Sequence, residues 1–236
     1  MIAAALVAAA VALPPVNAGF DYQIGGGYPL PAGVTVVSRD WRDSPAGSAY
    51  AVCYVNAFQS QPEEPWPRGL VLSEFEDPGW AGEFAIDIST PRQRTRAVRF
   101  VSRRVRRCAA KGFAAVEFDN LDAWTRFRGA PNTRGDTIRY ARRLIRRAHG
   151  AGLAAAQKNT PQLHGVGFDF AVAEECARYR ECGRYRRQFG DHILAIEYRR
   201  RDFRRACRTI GPAVSVVLRD VDVTRPGDPG YRFAAC

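Results

Sequence analysis

Short apolar runs, each followed by polar or charged residues, recur along the chain at 22–24, 34–37, 50–56, 113–118, 153–156, 168–173, 193–196 and 213–218. Runs that are apolar on both faces and bounded by turn residues predict strands buried in a parallel sheet. Between them the period changes. Thr90-Pro91 opens a helix, with Thr90 as N-cap and proline in the first turn. Ala97, Val98, Val101, Val105 and Cys108 then fall at helical spacing, arginines fill the other face, and Lys111-Gly112 ends the helix. A second helix starts at Asn132 or Thr133 and ends at Gly150, and two more are expected near 176–189 and 202–209. Eight strand candidates, alternating with helices in the second half, predict an α/β fold and a single (β/α)8 barrel. The connections after Ile24 and Asn159 are too short for a full helix, so the barrel is expected to be irregular, with one or two helices short or missing. Residues 62–90 form a long connection rich in Pro and Trp, of the kind that usually carries function.

Composition changes this picture little. The chain has 236 residues, 46% of them hydrophobic, and a net charge of +11. Lys111 and Lys158 are its lysines, so 33 of the 35 basic residues are arginine. They fall in helical segments, which suits a solvated exterior better than an aromatic-studded nucleic-acid patch, and no nucleic acid is expected as a partner. Residues 1–18, apolar and ending in Val16-Asn17-Ala18, read as a signal peptide or short N-terminal anchor, leaving 19–236 as one domain. The apolar run is too short for a stable membrane span. Six cysteines, Cys53, Cys108, Cys176, Cys182, Cys207 and Cys236, suit an exported, secreted or cell-surface protein. Cys176 and Cys182 are close enough to close a small loop, Cys207–Cys236 would tie down the tail, and Cys53–Cys108 remains. Scattered histidines and no CxxC pair argue against a zinc site, and no metal or other cofactor is expected.

In a barrel the C-terminal strand ends meet at one face. Asn56, Glu117, Asp119, Asp122, Lys158, Asn159, Glu174, Glu175, Glu197, Tyr198, Arg219 and Asp220 are placed there. Tyr28, Tyr54, Trp66, Trp80, Trp124 and Tyr198 lie in or beside the same loops, where aromatic faces could stack on sugar rings. Two carboxyl groups flanking a glycosidic bond would make the site a glycosidase, with Asp119 the first candidate and its partner on a later strand. Three other roles stay open for these acids: helix capping, salt bridging, and ligation of a hard cation by Glu117, Asp119 and Asp122.

Tyr22-Gln23-Ile24-Gly25-Gly26, Cys53-Tyr54-Val55-Asn56, Val116-Glu117-Phe118-Asp119-Asn120-Leu121-Asp122, Gln157-Lys158-Asn159, the 168–176 segment through Glu174-Glu175-Cys176, Tyr179 to Cys182, and Ile196-Glu197-Tyr198 together resemble glycoside hydrolase family 114, the endo-α-1,4-polygalactosaminidase family of barrels. The resemblance implies an exported, endo-acting hydrolase of α-1,4-linked galactosamine or N-acetylgalactosamine polysaccharide, and a monomer is expected. In it Asp119 would be the nucleophile and Glu174 the acid/base; a retaining reaction is the separate expectation for such a pair. Glu117, Asn120, Asp122, Lys158 and Glu197 would bind substrate or support the pair, beside Tyr54, Trp124, Tyr198 and Arg219 from the strand-end reading. The family often has Pro at the position of Phe118 and Asn at that of Ala173. The alternative is a carbohydrate-binding barrel with weak or lost catalysis. Net charge favours a less cationic, N-acetylated substrate.

Overall fold

The computed structural model describes residues 11–62 and 64–236, so the apolar start of the expected leader lies outside the described residues. The chain opens with β1 (Gly19–Gln23), β2 (Val34–Asp40) and β3 (Tyr50–Asn56). A hairpin of β4 (Val71–Glu76) and β5 (Phe84–Ile86) precedes helix α1 (Pro91–Lys111) and strand β6 (Ala115–Asp119). After the single turn α2 (Ala123–Arg126) come α3 (Arg134–His149), β7 (Ala154–Lys158) and β8 (Phe170–Glu174). The chain closes with α4 (Cys182–Phe189), β9 (Ile193–Glu197), α5 (Arg200–Thr209), β10 (Ser215–Arg219) and β11 (Phe233–Ala235).

The main sheet runs β1-β2-β3-β6-β7-β8-β9-β10-β11, parallel throughout except for antiparallel β11. Its eight parallel strands are those expected, and they curl into a nearly closed irregular (β/α)8 barrel. Side chains bridge the seam between β10 and β1. The Ala18 N–H donates to Ser215 Oγ at 3.0 Å, and the Arg219 guanidinium donates to the Asp21 carboxylate at 3.0 Å and to the Tyr22 carbonyl. Residues 11–18 run against the barrel's N-terminal end, where the Tyr50 hydroxyl donates to the Ala12 carbonyl.

Local chemistry sets the element ends as expected. Thr90 Oγ1 accepts from the Gln93 N–H, and Thr133 and Asp136 form a reciprocal capping box. Gly112 ends α1 at φ 89°, a left-handed position that favours glycine. Among the described residues, the connections at 24–33, 41–49 and 159–169 lack a helix, one more than expected. Helix α4 starts at Cys182, later than expected. The preceding turn closes the Cys176–Cys182 bridge, with Glu175 and Arg180 both at positive φ. The β4–β5 hairpin was not read from the sequence, because only its Pro and Trp residues stood out.

Period-two alternation divides each strand between two apolar layers. Tyr22, Val36, Val52, Ala115, Ala156, Val172, Ile196 and Val217 fill the barrel. Cys53, Val116, Phe118, Ala171, Ala173, Ala195 and Val216 pack outward with residues of α1, α3 and α4. The buried pair Arg94–Asp136, at 2.6 Å, pins α1 to α3. All three expected disulfides are present, Cys53–Cys108, Cys176–Cys182 and Cys207–Cys236. The last ties the tail to α5 beside the β10–β11 edge.

Candidate active site

Asp119, Lys158 and Glu174 are the last residues of neighbouring strands β6, β7 and β8, and all point to the barrel's interior side. The chain turns sharply beyond each one. Asn120, Asn159 and Glu175 have φ of 65°, 50° and 52°. Asn tolerates this left-handed region, whereas Glu175 adopts it at a cost of order 1–2 kcal/mol. Strain of this kind clusters where a chain must present a functional group.

Lys158 is the centre of the site. Its buried Nζ lies 3.1 Å from Glu117, 3.4 Å from Asp119 and 3.4 Å from Glu174, and donates to the Tyr22 hydroxyl at 2.6 Å. Burial alone would lower the lysine pKa. The charges of Asp119, Glu174 and Glu117 outweigh it and hold the ammonium well above its ordinary value. Glu117 sits beneath the others, its side chain 0% exposed against 16% for Asp119 and 25% for Glu174. Burial raises its pKa, against the pull of Lys158 and the Tyr22 hydrogen bond.

Each upper carboxylate is held by neutral donors as well. Asp119 Oδ1 accepts from the Asn120 N–H at 2.7 Å. Glu174 accepts from the Tyr198 hydroxyl and, at 2.8 Å, from the Asn159 amide. Asp119 and Glu174 open onto a cleft of about 380 Å³ that also receives Tyr54, Asn120, Lys158, Asn159 and Tyr198. Ile24-Gly25 and residues 221–223 form its opposite rim, where a Cβ on Gly25 would stand 2.4 Å from the Val223 carbonyl oxygen. A larger open groove of about 720 Å³, lined by residues of 27–49, includes no carboxylate.

The long connection after β3 adds groups that the sequence reading did not single out. Glu83 lines the cleft, accepts from the Asn56 amide at 3.0 Å, and has its pKa raised to about 7 by burial and the Asp119 charge. Arg126 is spent on Asp77 and Asp122, at 2.8 and 3.0 Å. Among the expected aromatics, Tyr54, Trp80 and Tyr198 line the cleft, while Trp66 is buried in the helix-side core.

Five expected contacts do not reach the cleft. Glu117 lies below it. Asp122 is paired with Arg126 and does not itself line the cleft, and Trp124 packs against the outer core. Glu197 belongs to the outward parity of β9. It accepts from the Ala177 N–H at 2.7 Å beside the Cys176–Cys182 bridge, and burial raises its pKa to about 7. Arg219 is fully buried in the seam. Cys176, Cys182 and Glu197 converge, but the two sulfurs are joined to each other and leave no thiolate donor.

A barrel that delivers two acids from adjacent strand ends into an open cleft has the architecture of a glycosidase. A family model for glycoside-hydrolase family GH114 matches residues 2–236. The chain belongs to that family and is a glycoside hydrolase. A crystal structure of Aspergillus fumigatus Ega3 in complex with galactosamine superposes with a TM-score of 0.81 at 18% identity, covering 95% of this chain and 97% of that one. The glycoside hydrolase domain of PelA from Pseudomonas aeruginosa superposes at 0.61 and 17% identity, covering 91% and 98%. These likenesses concern the fold. Among curated proteins, no sequence matches.

Proposed function

We propose that this protein is an exported, endo-acting hydrolase of α-1,4-linked galactosamine-containing polysaccharide, with Asp119 as nucleophile and Glu174 as acid/base. The observation that carries the reading is the sharing of Lys158 by Asp119 and Glu174. Each has an oxygen 3.4 Å from the same Nζ, so these oxygens are no more than twice that distance apart. This ceiling admits the short separation of a retaining pair, the outcome we propose. Asp119 attacks the anomeric carbon while Glu174 gives its proton to the departing glycosidic oxygen. Glu174 then takes a proton from the water that displaces Asp119. Lys158 holds the two groups in place and limits the charge between them.

The acids at the cleft bear on the substrate. Asp40, Glu83, Asp119, Glu174 and Asp222 line it, whereas its cations Lys158 and Arg126 are already held by carboxylates. Local field therefore opposes the overall +11, and the charge argument for an N-acetylated substrate gives way to one that accepts free amino groups. Export is supported by three disulfides. No helix among the described residues is long and apolar enough to cross a membrane. We read residues 19–236 as the catalytic domain of a monomer, following the export segment. Ala173 and Phe118 both pack on the helix side, away from the cleft. The inactive-barrel reading loses the observation that motivated it.

The test is digestion of defined galactosamine polymers, with products read by mass spectrometry and anomers by NMR. Asp119→Asn and Glu174→Gln should each lower turnover by roughly 10²–10⁴-fold or more without changing the circular dichroism spectrum. Wild-type turnover in either variant would remove that residue from the mechanism, and inverted product would exclude the covalent route.

A further inference from the structure

Helix α1 contains no acidic residue, and α3 contains Asp136 alone. Asp136 lies at the N-terminal end of α3 and is bound by Arg94 and Arg139. The other ends of the two helices therefore carry arginines without a carboxylate of their own. Between them lies a half-open surface pocket of about 150 Å³, lined by the buried Ser102, the exposed Arg106, Arg146 and Arg147, and Gly150 and Ala151. It has room for a few waters, at about 30 Å³ each, or for one small ion.

A second observation marks this pocket. Ser102 is 4% exposed, and its hydroxyl has no hydrogen-bond partner among the described residues. A buried hydroxyl is normally satisfied, and Ser102 is one of the residues that line this arginine-rich pocket. The local positive potential is also felt nearby. Partial burial, together with the charges of Arg146, Arg147 and Arg94, holds the Arg143 guanidinium below its ordinary pKa. Asp169, beyond the end of α3, is engaged by His149 and the Ala155 N–H.

We propose that this pocket binds a tetrahedral oxyanion, a phosphate or sulfate group, with Arg106, Arg146 and Arg147 as charge partners and the Ser102 hydroxyl as donor. Arginine forks match such oxygens in pairs. The site lies where α1 and α3 lead into β6 and β7, at the end of the barrel opposite the cleft. An anion-bearing polymer held there leaves the acidic mouth free.

The experiment is a titration of the intact protein with sodium phosphate and with sodium sulfate at ionic strength held constant with chloride. Calorimetry and thermal unfolding provide the readouts. Saturable binding is expected. It should weaken roughly 10-fold or more in the Arg146→Gln/Arg147→Gln double variant and a few-fold in Ser102→Ala. Glycosidase activity should be unchanged in both variants. A polyphosphate arm identifies the source of the group: binding tighter than that of inorganic phosphate and lost in the same double variant points to a polymer, and equal affinity points to the free ion. Effects indistinguishable from chloride, or saturable binding that survives the double variant, would overturn the proposal. Unchanged affinity in Ser102→Ala would remove the hydroxyl from the site.

Discussion

Replacing Lys158 by Met keeps most of the unbranched side chain, one atom short of the ammonium, and deletes one charge. Three carboxylates lie within 3.4 Å of that charge, and Glu117 has no solvent to turn to. Removing one partner from a buried ion pair costs about 3–5 kcal/mol, because the remaining charge stays desolvated. The variant is expected to lose about that much stability at pH 7. The dependence on pH distinguishes this cause from a packing defect. In the wild type the lysine pKa is raised above 10.5, so its contribution is complete below that value and lost only as pH rises through the folded-state pKa. In the variant, Glu117 has lost the cation that opposed its upward shift. A carboxyl whose folded pKa is raised binds protons more tightly in the folded state, so stability increases as pH falls through the carboxyl range. The deficit relative to wild type should therefore shrink between pH 7 and pH 4.5. Urea unfolding with the disulfides intact, followed by circular dichroism at both pH values, measures it. A deficit below about 1 kcal/mol at pH 7, or one that does not change with pH, would refute the charge argument.

Two further predictions use the carboxyls whose pKa is raised to about 7. Glu83 touches the cleft, so a limb of the pH–rate profile near neutrality should flatten in Glu83→Gln, whereas an identical profile would detach Glu83 from the reaction. Glu197 is buried and shifted to about 7, so its ionisation costs stability above the ordinary carboxyl range. Glu197→Gln should therefore gain on wild type as pH rises from 5 to 8, by roughly 2–3 kcal/mol. Urea midpoints that stay parallel across that range would contradict it.

The sequence by itself determined the parallel strands, because an apolar run bounded by turns has few other uses in a chain of this size. It determined the ends of α1 and α3, where Thr90, Thr133 and Gly112 cap locally. The cysteine spacing led to the observed bridges. It also placed Asp119, Lys158 and Glu174 at strand ends, where period-two alternation turns them inward. The same alternation already carried the clue that Glu197 shares the face of Ala195, toward the helices. Tertiary structure decided depth and company. Glu117 and Asp119 share one face of β6, but strand register leaves one sealed beneath Lys158 and the other open to the cleft. Arg219 follows an apolar run just as the cleft residues do, yet the seam between β10 and β1 consumes it. Glu83 comes from a hairpin remote in sequence from the barrel strand end it meets, and was invisible as a site residue. Alternation is a local property of the chain, whereas depth along the barrel axis follows from how neighbouring strands are staggered and where the loops between them fold back.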